Sequence, residues 1–328
     1  MRKHVGFLTV VALALVTVAG VTSCRRQAAP PQITDVAFRL DWTPGAEHSF
    51  LYWAKEQQLF EEEDVNVTLQ AGDGSTTSAK LVGNGTVDYA LCSGDTALIA
   101  ASAGAPIQVV AVLYSRSPMV VYSRKDRNIT APKDLEGKTY GANMKSTTYK
   151  QFLSFCHLTG VDVSKIKVLS TGGKAEDILT SAVDASGGYT YIQPVQCELA
   201  GVPVNEMFIS DFGAKAYSMA IIANRNTANA DTTRRVVKVA LEAFQHMLSN
   251  SEETLEAYFR ATPTANKEFE SKKLERVVAF VNENLKTQGH VGVQTEEGWQ
   301  QTQNFLRSQD LVATNITLAG FFTTEFAN

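Results

Sequence analysis

The stretch VAFRLDWTPGAEHSFLYWAKEQQLFEEEDVNVTL, Val36–Leu69, carries the plan of the chain in miniature. Val36–Leu40 reads as a strand. Asp41-Trp42 follows at its carboxyl end, and Thr43-Pro44-Gly45 supplies turn residues. A helix is expected over His48–Phe60, with Phe50, Leu51, Ala54 and Gln58 near one face. Val65–Leu69 then reads as a second strand. A core Trp is ordinary. An Asp beside a Trp where a strand gives way to a turn is less so.

The alternation continues outward from this unit. Further strands are expected at Val87–Leu91, Ile107–Leu113, Met119–Tyr122, Lys138–Gly141, Lys165–Leu169, Ala185–Tyr189, Val204–Ile209 and Tyr217–Ile222. Helices are expected from Ser75, as a cap, to Leu81, and at Asp95–Ala103, Thr147–Leu158, Asp177–Ala182 and Pro194–Ala200. The last hundred or so residues read as mostly helical: Asp231–Leu248, Glu253–Arg260, Lys267–Leu285 and Glu296–Arg307. This pattern predicts an α/β fold, with sheets covered by helices and a helical tail. Open α/β sheets bind ligands beyond the carboxyl ends of their strands. Asp41-Trp42, Ser93-Gly94-Asp95, Asn143–Thr148 and Tyr189–Gln193 all sit at such ends. They converge if the two halves of the chain face each other.

The amino terminus reads as an export signal. Arg2 and Lys3 precede an apolar run from Val5 to Val21, then Thr22-Ser23-Cys24. The run is shorter than the roughly 20 residues of a spanning helix. Val21–Cys24 resembles the bacterial lipobox, so residues 1–23 are expected to be a signal peptide and Cys24 the lipidated new terminus. Residues 24–32 suit a tether. Removal of residues 1–23 takes away Arg2 and Lys3, so a net charge of -4 becomes -6. A mildly acidic body without a basic block argues against a nucleic-acid partner. Cys92, Cys156 and Cys197 lack metal-ligand spacing and read as small buried hydrophobes, with one disulfide left open. No metal or cofactor is expected.

LDWTP with His48 four positions after its Pro, followed by LYWAKEQQLFEEEDVNV, is similar to the opening of solute-binding proteins for the pyrimidine precursor of thiamine. Further matching runs are LVGNGTVDYAL (Leu81–Leu91), AGAPIQVVAVL (Ala103–Leu113), DLEGKTYG (Asp134–Gly141) and VDASGGY (Val183–Tyr189). The resemblance spans roughly residues 35–310. It implies the type II periplasmic-binding fold: two α/β lobes joined by a hinge, with a ligand cleft between. Lobe one is then 33–117 plus 218–328, and lobe two 118–217. The chain crosses near Arg116-Ser117-Pro118 and Lys215–Ser218. It also implies a monomer, anchored to the membrane by lipid in the periplasm or at the cell surface. The partners implied are a small heterocyclic ligand and an ABC permease with its ATPase.

Within that resemblance Trp42 offers a broad face for a flat heteroaromatic ring, and Asp41 an acceptor for its amino or imino edge. His48 either donates to the ligand or caps the turn. Trp53 is expected in the core. Ser93-Gly94-Asp95 opens a helix, with Asp95 as N-cap and free N–H groups directed at the cleft. In Asn143–Thr148, hydroxyls, helix N–H groups and the nearby Lys145 form an anion or carbonyl cradle, Ser146 and Thr147 foremost. Tyr189 and Tyr191 stack or hydrogen-bond. Pyrimidine-binding relatives tend to carry Glu where this chain has Gln193. An amide both donates and accepts, which suits an oxo-pyrimidine, purine-like or flavin-like edge as well as the thiamine precursor.

An enzyme is disfavoured. Fungal pyrimidine synthases of this fold consume a His of their own chain and carry a cysteine-rich run. Here the corresponding regions read Cys92–Ala97 without His and Tyr217–Ile222 without Cys. No nucleophile elbow, phosphate loop or HExxH motif is present. A ligand-sensing lipoprotein of the same fold is the other alternative.

Overall fold

The computed structural model describes residue 1 and residues 33–144, 146–312 and 316–327, with the backbone alone at residue 147. The expected signal peptide, tether and lipidated Cys24 lie outside the described residues. Among the described residues no helix is long and apolar enough to cross a membrane.

The chain begins β1 (Thr34–Arg39), a short 3-10 turn at Ala46–His48, α1 (Ser49–Glu56), α2 (Leu59–Glu62), β2 (Val65–Gln70), α3 (Ser75–Gly83), β3 (Tyr89–Ser93), α4 (Gly94–Ser102) and β4 (Ile107–Val112). It continues through β5 (Met119–Arg124), β6 (Thr139–Ala142), α5 (Thr147–Thr159), β7 (Lys167–Ser170), α6 (Ala175–Leu179), β8 (Ala185–Tyr189), α7 (Gln193–Leu199) and β9 (Val204–Phe208). It closes with β10 (Met219–Asn224) and the helices α8 (Ala230–Ser249), α9 (Ser251–Ala261), α10 (Lys267–Gln288) and α11 (Glu296–Arg307).

Two five-stranded sheets result, ordered β2-β1-β3-β10-β4 and β7-β6-β8-β5-β9. In each, one strand runs against parallel neighbours: β10 pairs antiparallel with β3 and β4, and β5 with β8 and β9. Each of these strands follows a passage from one sheet to the other. Every residue of β10 is buried, as a central strand covered on both faces requires. Period two sends its side chains to opposite sides. Ile221 joins the buried cluster that holds Phe50 and Phe244, whereas Ile222 joins the one that holds Leu98 and Trp299.

The chain passes between sheets at residues 113–118 and 209–218, and the two passages are tied together. Leu113 and Tyr114 donate backbone N–H to Met219 O at 2.8 and 3.0 Å, and Ser218 N–H returns to Tyr114 O at 3.0 Å. Helix α10 touches both halves. Its Lys273 pairs with Glu47 beside the first sheet, and one turn later Arg276 donates to Glu206 of β9 and Glu198 of α7 at 2.8 and 2.9 Å.

The expected helix over His48–Phe60 is broken, and burial supplies the reason. At about 100° per residue an unbroken helix places Gln58 on the Phe50/Leu51/Ala54 face and carries Phe60 far from it. Gln58 instead adopts a left-handed conformation, φ 60°, which leaves it exposed and lets Phe60 be buried completely. Two expected caps move as well. Gly74, not Ser75, precedes α3, and Ser93, not Asp95, precedes α4. Asn229, Asn266 and Thr295 cap α8, α10 and α11 through their side chains, and Gly160 ends α5 at φ 68°.

Candidate functional site

The carboxyl ends of strands from both sheets face one cavity of about 480 Å³, within the usual size of a small-molecule site. Asp41, Trp42, Ser93, Asp95, Ser146, Tyr189, Tyr191 and Gln193 all line it. Thr147 opens α5 beside them. His48 does not line the cavity.

Asp41 and Trp42 occupy the turn after β1. A glycine-rich segment closes over that turn. Gly72 N–H donates to Trp42 O at 2.9 Å, and Gly74 N–H to Asp41 O at 2.8 Å. A Cβ at Gly72 would stand 2.2 Å from Leu40 O, so only glycine permits this approach. The indole of Trp42 remains half exposed at 52%. Trp299, by contrast, is buried, with Nε1–H donated to Gln294 at 2.9 Å, and Trp53 stacks on His246 with ring centroids 3.9 Å apart. Trp42 alone among the three presents an open face to the cavity.

His48 stands behind Asp41. Its side chain is fully buried, and Nε2 lies 2.8 Å from Asp41 Oδ1. Its Nδ1 accepts the Gly45 N–H at 3.2 Å. A backbone amide is only a donor, so Nδ1 is unprotonated and the proton sits on Nε2, donated to Asp41. Both ring nitrogens of His48 are thus engaged inside the protein. The imidazole orients the carboxylate that faces the cavity.

Below the same turn, Glu47 and Glu270 flank the buried Lys273. Burial works against the Lys273 charge, but the two carboxylates outweigh it and hold its pKa above the ordinary lysine value. Burial raises the pKa of Glu270, against the opposing pull of Lys273 and of the Ala46 N–H donated to it at 2.6 Å. This cluster braces Gly45–His48 against α10.

Asp95 is buried at the start of α4. Its Oδ1 accepts Thr96 N–H at 2.6 Å, and its Oδ2 accepts the Gln151 amide of α5 at 3.2 Å. That bond spans the cavity from one half to the other. Ser93 joins the lining, with its N–H donated to Ser75 Oγ at 2.9 Å.

The opposite wall comes from β6, β8 and the turns that follow. Ser146 caps α5: its Oγ accepts Tyr149 N–H at 3.2 Å and donates to Asn143 O at 2.7 Å. The expected open cradle is thus largely closed on itself. Gln193 starts α7 and turns back, its Oε1 accepting Tyr189 N–H at 3.0 Å. Because that partner can only donate, the carbonyl side of the amide is fixed and the NH₂ is left to donate. Gly188 makes room, since a Cβ there would stand 2.4 Å from Gln193 Oε1. Tyr189 and Tyr191 have ring centroids 5.9 Å apart, and Tyr191 packs edge-on to Tyr114. Burial, then the charges of Asp95 and Asp41, pushes the Tyr189 hydroxyl pKa above its usual value.

Sequence reasoning missed Glu47, Ser75, Thr76, Gln151 and the glycines 172 and 173, which also line the cavity. Gly72–Ser75 and Gly172-Gly173 follow β2 and β7, so the carboxyl-edge rule already contained their signal. Gln151 lies within α5, and nothing in the sequence distinguishes it from a surface glutamine.

Two α/β sheets, joined by paired passages and facing a common cavity, define the periplasmic-binding-protein fold. The periplasmic aliphatic sulphonate binding protein SsuA from Escherichia coli shares it, with a TM-score of 0.65 and 16% identity over 87% of this chain and 91% of that one. The chain belongs to the NMT1/THI5-like family, whose model matches residues 45–254. The riboflavin-binding protein RibY of Chloroflexus aurantiacus is 23% identical over 91% of this chain and 87% of its own. The formylaminopyrimidine-binding protein of Halalkalibacterium halodurans is 25% identical over 90% and 92%. Synthases of a pyrimidine phosphate also share similarity with the chain.

Proposed function

We propose that this protein is the solute-binding component of an ABC importer and that it holds a small planar heterocycle between two closing lobes. The observation that carries the reading is the open face of Trp42 beside Asp41, at a cavity walled by both sheets. On this reading the ligand ring stacks on Trp42, Asp41 and Gln193 read its edges from opposite walls, and Tyr189 closes over it. Lobe one comprises 33–117 plus 218–328 and lobe two 118–217, with the paired passages as hinge. A ligand that touches both walls favours the closed form by its differential affinity, and the closed form is what a permease recognises. Anchoring through Cys24 belongs to the same reading. Relatives aligned over about nine-tenths of the chain bear binding-protein names, which supports a carrier over a synthase.

A thermal-shift screen of the purified chain against pyrimidines, purines, flavins, thiamine and small sulfonates tests this. A ligand at 100 times its Kd adds about 2.7 kcal/mol of stability. Stabilisation by a planar heterocycle is expected. Stabilisation by a sulfonate alone would remove the stacking role of Trp42.

A further inference from the structure

Asp95 and Gln151 meet across the cavity, one at the start of α4 and the other within α5. Both line the cavity, and both are more than nine-tenths buried, at 6% and 8% exposure. The bond between them has a fixed sense. Asp95 is held from its own helix: Oδ1 accepts the Thr96 N–H at 2.6 Å and the Thr96 hydroxyl at 3.2 Å. Its Oδ2 is turned to α5 and accepts Gln151 Nε2 at 3.2 Å. A carboxylate oxygen accepts, so the amide of Gln151 turns its NH₂ to Asp95. The carbonyl Oε1 is then the end that a molecule in the cavity meets.

A solvent-exposed glutamine presents either end of its amide by rotation about its last bond. Gln151 lacks that freedom. A flip would set Oε1 against Asp95 Oδ2, two acceptors at hydrogen-bond distance in a buried place. Donation into a carboxylate also polarises the amide and strengthens its carbonyl as an acceptor. Gln193 is fixed in the opposite sense, because Tyr189 N–H holds its Oε1 and leaves its NH₂ to donate. The two glutamines follow β6 and β8 of the second sheet. From that side they offer the cavity one oriented acceptor and one oriented donor.

We propose that Gln151 is a specificity-determining residue, positioned by Asp95, and that the ligand presents an N–H to the Gln151 carbonyl. This rests on the reading of the cavity as a heterocycle site and names the class within it: rings with an unsubstituted lactam, imide or amino N–H at the edge that meets α5. One amide then bonds to α4 and to the ligand at once, which ties ligand recognition to the approach of the two walls.

Asp95→Asn tests the orientation with almost no change of shape. Thr96 N–H requires an acceptor, so the new side chain keeps its carbonyl there and turns its NH₂ to Gln151. Gln151 is then driven to flip and to present its own NH₂ to the ligand. Calorimetric titration compares riboflavin with 3-methylriboflavin, and 4-amino-5-hydroxymethyl-2-methylpyrimidine with its 4-dimethylamino counterpart. Each parent ring carries N–H on a single nitrogen, and methylation removes it. A parent that binds the unaltered chain is expected to bind at least about tenfold more tightly than its methylated form, and the two to come within about threefold in Asp95→Asn. Gln151→Met, which removes both ends of the amide at similar volume, is expected to erase the preference too and serves where Asp95→Asn does not fold. A preference due to the bulk of the methyl groups alone would survive in all three proteins. Equal binding of parent and analogue by the unaltered chain, or a ratio that the folded variants leave unchanged, overturns the proposal and leaves the heterocycle reading standing. In a second arm, on the ligand-free chain, the Gln151 side-chain NH₂ signals are identified by NMR through their loss in Gln151→Met. They are expected to exchange with solvent at least about tenfold more slowly than those of exposed glutamines, and to speed up in Asp95→Asn. Exchange as fast as that of exposed glutamines overturns the fixed amide. Slow exchange with no binding from any ring supports the fixed amide and counts against the heterocycle reading instead.

Discussion

His48 donates from Nε2 to Asp41 Oδ1 across 2.8 Å, while Gly45 N–H occupies its other nitrogen. A buried imidazole thus fixes the rotamer of a carboxylate that faces the cavity. His48→Phe removes the donor and keeps the volume. Ligand affinity is expected to drop about tenfold or more, the size of one hydrogen bond to a charged group. His48→Gln, which can still present an amide donor, is expected to recover part of it. Calorimetric titration of both variants with the tightest ligand of the screen checks this; equal losses would reduce His48 to packing.

Trp42→Ala deletes the open stacking face without touching the core, because the indole is half exposed. The expected cost in binding is about 1–3 kcal/mol, by analogy with base–aromatic stacking. The melting temperature of the free protein is expected to stay within a degree or two. Unchanged affinity would take Trp42 out of the site.

Gln193→Glu is a change at one atom. Tyr189 N–H holds the carbonyl oxygen in place, so the substitution replaces the free NH₂ donor with an acceptor. Ligand preference is expected to move from oxo edges toward amino edges. Competition between an oxo- and an aminopyrimidine on wild type and variant reads the shift, and an unaltered ranking would contradict it.

Arg276 joins the halves of the chain. It donates to Glu206 and Glu198, and Thr190, which Glu206 also holds, lies between Tyr189 and Tyr191. Arg276→Gln is expected to loosen the closed form and speed ligand release about fivefold, with less sensitivity to salt than wild type. Stopped-flow release at low and high ionic strength checks it. An unchanged rate would confine Arg276 to surface ion pairing.

Glu136 sets an acid limit away from the site. The Asp162 N–H, then Lys133 and Lys165, lower its pKa from 4.5 to about 2. The folded value lies below the unfolded one, so its contribution is fully present above about pH 4.5 and is lost as pH falls toward 2. Glu136→Gln is expected to flatten that part of the stability profile, measured by urea unfolding against pH. The same slope in both proteins would assign the acid loss elsewhere.

Hydrophobic periodicity and turn chemistry are local, and local physics made much legible in the sequence. The βαβ reading of Val36–Leu69, the bounds of α11 at Glu296–Arg307 and the strand at Ala185–Tyr189 all follow from side-chain pattern within a few residues. The carboxyl-edge rule also points Asp41, Trp42, Ser93, Asp95, Ser146, Tyr189, Tyr191 and Gln193 to one edge, and all of them line the cavity. Tertiary structure decided what spacing cannot encode. Gln58 leaves the helix because Phe60 must be buried against a distant core. His48 lies behind Asp41 rather than beside the cavity because Gly45 takes its second nitrogen. Gln151 reaches Asp95 only where two sheets approach. Such pairings are settled by burial and by which partners remain for each polar atom, and those partners lie far off along the chain.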